Sequence, residues 1–177
     1  MTATRLITPG DARAVTDLLN ANREFLGPWM PRRDEEFFTA GHQRGLIAEA
    51  LLHHEAGAAA QHVVLDDGEV AGLIKLSGIV RGALQGCSVG YWVDARRNGR
   101  GLASAAVGEM VRVAFEDFGL HRVQAETLVH NTGSQRVLER NGFVRIGLAP
   151  EFLHIDGRWQ DHILYQALNP DWKAETA

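Results

Sequence analysis

The sequence predicts a mixed α/β fold, and three observations predict it. Apolar residues recur at helical spacing in the first third of the chain. The period then changes to two apolar runs around a turn signal. The last half reads strand, helix, strand, helix, strand, strand. Early helices, an antiparallel meander and then alternating elements give a mixed sheet rather than a purely alternating one. With 177 residues, the chain is expected to form a single domain over 1–177 with a sizeable core.

"TRLITPGDARAVTDLLNANREF" reads as a strand at Arg5–Thr8 and a helix opening near Pro9–Asp11. Pro and Asp suit a first turn, and Ala14, Val15, Leu18 and Leu19 supply the apolar stripe. "LGPWMPRR" breaks this helix: prolines flanking Trp29 and Met30 make a stiff elbow, either core packing or a substrate-facing wall. A second helical region spans about Asp34 to Ala58. "HVVLDDGEVAGLIKLSGI" is a hairpin around Asp66-Asp67-Gly68, and "CSVGYWVD" is a further strand. A helix to about Phe118 follows, with Leu102, Ala106, Met110 and Val113 on one face. "HRVQAETLVH" is a strand, "GSQRVLERNGF" a short helix stopped by Asn141-Gly142, and the remainder two strands around Ile155-Asp156-Gly157.

Composition excludes several function classes. A net charge of −4 argues against nucleic-acid binding through a basic surface. Cys87 stands alone, so no intrachain disulfide forms, and a reducing cytoplasm is the expected home. No apolar run approaches membrane-spanning length. Among the eight histidines, His53-His54 are adjacent rather than at i, i+4 spacing, so no metal site is expected.

"ARRNGRGLASAAV" places two glycines, three arginines and small residues at a strand–helix junction. Free N–H groups of a first helical turn and the helix dipole together bind phosphate there. Gly99 and Gly101 remove the Cβ atoms that keep a pyrophosphate from the backbone, and Arg96, Arg97 and Arg100 supply countercharge. The alternative is a helix cap with solvated arginines. A P-loop lacks its Gly-Lys-Ser/Thr ending. A dinucleotide fingerprint fails because Ser104 replaces the third glycine and the stretch lies past mid-chain.

"GYWVDARRNGRGLASAAV" resembles the acyl-CoA-binding motif of the GNAT-fold N-acetyltransferases, Gln/Arg-x-x-Gly-x-Gly/Ala. Two registers fit, Arg96-x-x-Gly99-x-Gly101 and Asn98-x-x-Gly101-x-Ala103, and the second sets Gly101 and Ala103 at the helix start. "NTGSQRVLERNGF" is similar to the Asn-x-x-Ser and Gly-Phe block of the RimJ/RimL-type branch. "FLHIDGRWQDHILYQALNPDW" and "NREFLGPWMP" resemble the RimJ side of it, so the likeness spans nearly the whole chain.

The resemblance implies a central, mainly antiparallel sheet of about seven strands, splayed at the acetyl-CoA site. It implies direct acetyl transfer from acetyl-CoA to a primary amine, foremost the N-terminal α-amine of a ribosomal protein. It further implies cofactor contacts from Trp92, Val93, Arg97, Asn98, Gly99, Arg100, Gly101, Leu102, Ala103, Ser104 and Asn131. Ser134 is expected to protonate or hydrogen-bond the departing sulfur, its alternative role being a helix cap.

The base is expected at Glu151, with Glu126 as rival, Asp161 and His162 behind them, and water as an intermediary. An α-amine with a pKa of about 8 needs only such a modest base, whereas a lysine at about 10.4 needs more. Tyr165 is expected to be buried with a satisfied hydroxyl. Acetylation of a small amine such as a polyamine or aminoglycoside, and non-catalytic acetyl-CoA binding, are the rival functions. The partners are then acetyl-CoA and a protein N-terminus, with no membrane and no direct nucleic-acid contact, for a monomer or homodimer.

Overall fold

In the computed structural model, which describes residues 3–173, seven strands form one sheet in the order β1-β2-β3-β4-β5-β7-β6. The strands are β1 (Thr4–Leu6), β2 (Ala60–Asp66), β3 (Glu69–Val80), β4 (Gly86–Val93), β5 (Arg122–Leu128), β6 (Val144–Ile155) and β7 (Arg158–Leu168). Every pairing is antiparallel except β4 with β5. The helices are α1 (Ala12–Ala21), α2 (Arg23–Leu26), α3 (Ala40–Glu55), α4 (Leu102–Arg112) and α5 (Thr132–Arg140). No helix among the described residues is long and apolar enough to cross a membrane.

Sequence chemistry accounts for the element ends. Asp67-Gly68 turns β2 into β3, both residues taking positive φ (51° and 86°). Asp156-Gly157 does the same between β6 and β7. The second helical region is shorter than its apolar pattern suggests. Thr39 caps α3, its Oγ1 accepting from the His42 amide at 3.2 Å, and the preceding Glu36–Phe38 is a single 3-10 turn. Likewise β1 ends at Leu6, because the Thr8–Asp11 capping box starts the turn into α1.

Alternation along the strands sorts side chains onto two faces. Val89, Val93, Val123, Ala125, Ile163 and Tyr165 pack under α4 and α5 in the larger core. Val63, Leu73 and Trp92 face α1 and α3 in the smaller one. Tyr165 is 2% exposed, with its hydroxyl 3.5 Å from Glu139. Cys87 is buried, and burial pushes its thiol up to about 12, so it is inert.

Candidate active site

The parallel pair β4–β5 is joined only from Gly86–Ser88 to Arg122–Gln124, although β4 continues to Val93 and β5 to Leu128. Each strand keeps its other neighbour, β3 for one and β7 for the other, so the two diverge and leave a window through the sheet. The Asp94 amide donates to the Ala71 carbonyl at 2.8 Å, and Trp92 pairs with Leu73. Main-chain groups alternate in direction along a strand. Trp92 is therefore committed to β3, while Tyr91 and Val93 turn their amides into the window. Of the two amide contacts expected around Trp92 and Val93, only Val93 has its main chain free, though both residues border the site.

Beyond Val93 the chain enters the glycine turn. Gly99 and Gly101 have φ of +78° and +83°, which disfavour a side chain, and nothing lies within 4 Å of where their Cβ atoms would be. Gly101 is the cap residue of α4 and offers no side-chain acceptor, so the first amides of α4, at Leu102, Ala103 and Ser104, point outward. They border a cavity of about 580 Å³ that runs along Val93 and Asn98 to Asn131 and Ser134 of the α5 region.

The arginines behave differently from expectation. Arg97 lies 3.1 Å from Asp66 and 2.8 Å from Glu69, and Arg100 also pairs with Asp66. Arg96 pairs with Asp94 at 2.9 Å and holds that buried carboxyl below its usual range. The Arg97 and Arg100 pairs staple the turn to the β2–β3 hairpin and offset the charge assigned to phosphate. The cations the sequence reading missed are Arg136 and Arg140, one turn apart on α5 and lining the same cavity. Their i, i+4 spacing just past Ser134 was the available signal.

Asn131, rather than Ser134, caps α5: its Oδ1 accepts from the Ser134 amide at 3.0 Å. Ser134 thus sits in the first turn with its hydroxyl unneeded for capping. Its Oγ lies 2.8 Å from the Tyr91 phenol. Asn131, Ser134, Tyr91 and Trp29 border both this cavity and a second one of about 230 Å³.

The second cavity holds Glu126 and His162. Glu126 pairs with Leu164 and Leu128 with His162, so Glu126 and His162 share one face as diagonal neighbours. Continuing the β4–β5 register sets Gly90 opposite Glu126, and a Cβ at Gly90 would meet nothing within 4 Å. The glycine leaves the space in front of the carboxyl open. Burial raises the Glu126 pKa above the ordinary glutamate range. His162 is 3% exposed, with Nδ1 2.9 Å from the Gln160 carbonyl. A carbonyl only accepts, so Nδ1 carries a proton directed at it.

Glu151 is displaced from this group. It occupies a bulge of β6 with φ of +48°, is exposed, and borders neither cavity. Asp161 is tied to the same bulge, its Oδ1 accepting from the Glu151 amide at 2.9 Å. The bulge turns Leu153 and Ile155 into walls of the small cavity. Trp29 supplies another wall, and the elbow is fastened to the hairpin tip by Arg32–Asp156 at 3.4 Å.

A helix start that presents bare amides, a strand edge with free main-chain groups, and a hydroxyl beside them fit an acyl thioester with a pyrophosphate-bearing arm. The fold and site define an acetyl-CoA-dependent acyltransferase. Residues 4–144 match the model of the acetyltransferase (GNAT) domain, and the chain belongs to that family.

It is 35% identical over 173 residues to the [ribosomal protein uS5]-alanine N-acetyltransferase of Escherichia coli (strain K12), covering 95% of this chain and 88% of that protein. The ribosomal-protein-S5-alanine acetyltransferase from Vibrio fischeri superimposes with a TM-score of 0.93 at 34% identity, over 97% of this chain and 94% of that one. The Mycobacterium smegmatis RimJ in complex with CoA-disulfide gives 0.90 at 30% identity, over 93% and 80%. The protein is an N-acetyltransferase that uses acetyl-CoA, as the motif resemblance implied.

Proposed function

We propose that this enzyme acetylates the N-terminal α-amine of a protein, with a ribosomal protein as the acceptor, in the cytoplasm and by direct attack within a ternary complex. The observation that carries this reading is the window through the sheet, which joins the two cavities at Tyr91, Trp29, Asn131 and Ser134. Acetyl-CoA lies on the α4–α5 side and the amine arrives from the other. The small cavity suits an extended chain end better than a side chain on a folded surface. Two close relatives bear names that assign them to ribosomal-protein alanine.

When bound, acetyl-CoA supplies the activated acetyl group. The outward amides of Leu102, Ala103 and Ser104, with Asn98, Gly99 and Gly101 of the turn, hold the pyrophosphate. Arg136 and Arg140 add the charge that Arg97 and Arg100 share with carboxylates. The Val93 amide and the Asn131 side-chain amide orient the arm, and Ser134 donates a hydrogen bond to the departing sulfur. Glu126 is the base: it is inside the acceptor cavity, has no hydrogen-bonding partner among the described residues, and its raised pKa brings it nearer that of an α-amine. Glu151 then shapes the wall rather than the chemistry.

A free-thiol assay with acetyl-CoA against a panel of N-terminal peptides and small amines tests the reading. Turnover on peptides with a free α-amine, abolished by N-terminal blocking, is the expected result. Turnover on small amines alone, or binding of acetyl-CoA without turnover, overturns it.

A further inference from the structure

The role of Ser134 depends on where its hydrogen points, and one neighbour controls that. Tyr91 lies at the edge of the window, and its phenol oxygen is 2.8 Å from Ser134 Oγ and 3.3 Å from the Ser134 carbonyl. The phenol has a single hydrogen, and the shorter contact, to Oγ, is the one it fills; the carbonyl is a longer second acceptor. A phenol is also a stronger acid than an alcohol, and hence the better donor of the two hydroxyls. With the phenol hydrogen directed to Ser134 Oγ, the serine hydrogen is left for the cavity. The Ser134 amide is meanwhile fixed by Asn131 Oδ1 at 3.0 Å, so backbone and side chain are both held.

We infer that Tyr91 is a positioning residue that orients the Ser134 hydroxyl toward the thioester sulfur and strengthens it as a donor. This rests on the reading of Ser134 as the sulfur's partner. The carbon–nitrogen bond forms, the carbon–sulfur bond breaks, and its electron pair goes to sulfur. The proton given up by the nitrogen passes to Glu126 and then to water. No proton leaves Tyr91 or Ser134: the sulfur departs as a thiolate holding the serine hydrogen bond, and takes a proton from water on release. A donor that itself receives a hydrogen bond is polarised and binds anionic sulfur more strongly. Burial pushes the Tyr91 phenol up to about 12, so it stays protonated at every working pH.

The test compares Tyr91→Phe, Ser134→Ala and the double variant, with acetyl-CoA and a reactive peptide. Tyr91→Phe is expected to lower kcat about 10-fold while leaving KM for acetyl-CoA within about twofold, since the effect arises as charge grows on sulfur. The double variant is expected to be no slower than Ser134→Ala alone. If Ser134→Ala keeps full turnover, the underlying assignment of Ser134 fails. If Ser134→Ala is slow but Tyr91→Phe is not, or the two losses multiply, the positioning role of Tyr91 fails. A raised KM with unchanged kcat reassigns Tyr91 to binding and also overturns the inference. Thermal melting of Tyr91→Phe checks that the comparison is made between folded proteins.

Discussion

The two halves of the β4–β5 pair differ in one respect, and that difference separates stability from chemistry. At Gly86–Ser88 the strands are hydrogen-bonded to Arg122–Gln124, and Cys87 and Val123 are sealed beneath them in the main core. A few residues further on, the same two strands have parted. Main-chain groups at Tyr91 and Val93 lack a strand partner there, and Glu126 faces a cavity rather than a cation. Unpaired buried amides and a desolvated carboxyl cost folding free energy. The zipped half stabilises the sheet, and the open half leaves groups without a strand partner.

Substitutions that act on one half alone can break this contrast. The largest effect is expected from Glu126→Gln, which should lower kcat by about 10²- to 10³-fold. Its stability should not fall. A carboxyl whose pKa is raised by folding binds its proton more tightly when folded, so wild-type stability declines as pH rises through and above the ordinary value of 4.5. Glutamine removes that cost. Thermal melting at pH 5 and pH 8 should show the variant gaining on wild type at the higher pH, and the opposite trend contradicts the burial of Glu126.

Next comes Ala103→Asp at the mouth of α4. An acidic residue in a first helical turn suits the dipole, so the fold should persist, while the carboxylate repels the pyrophosphate. Calorimetry should find acetyl-CoA affinity reduced about 10- to 100-fold, or about 1.4 to 2.8 kcal/mol. Unchanged affinity in the folded variant would move the cofactor away from this turn.

In the zipped half, Val123→Ala should do the reverse. Val123 is 0% exposed, and truncation there should cost about 2 kcal/mol in denaturant unfolding. Turnover at a temperature where the variant is folded should stay within about twofold. The smallest effect is expected at Glu151→Gln, with kcat also within about twofold. A large loss there would return the base to the β6 bulge and leave Glu126 as mere cavity lining.

Elements with local causes were legible in advance. Asp67-Gly68, Asp156-Gly157 and the Asn141-Gly142 stop need no distant partner to favour their turns, and Gly99 and Gly101 mark a positive-φ bend by the same logic. The arginines whose surroundings differ from expectation depend on partners far along the chain. Arg97 and Arg100 are expected to supply countercharge to phosphate, and nothing in their neighbourhood reveals Asp66, which comes from the β2–β3 hairpin. For Ser134, expected to meet the sulfur or to cap a helix, the cap position belongs to Asn131, and its contact with Tyr91 of β4 is set by packing between elements.

The sequence by itself determined the order of elements, the glycine bend at Gly99–Gly101 and the family of the chain, since periodicity, backbone permissiveness and a helix start are properties of contiguous residues. Only the tertiary structure decided which carboxylate is enclosed by a cavity and which is exposed. Glu126 and Glu151 are equally plain in one dimension. Burial and open space are set by the strands that pack alongside, and they give one of the two a desolvated position facing Gly90 and the other a solvated bulge.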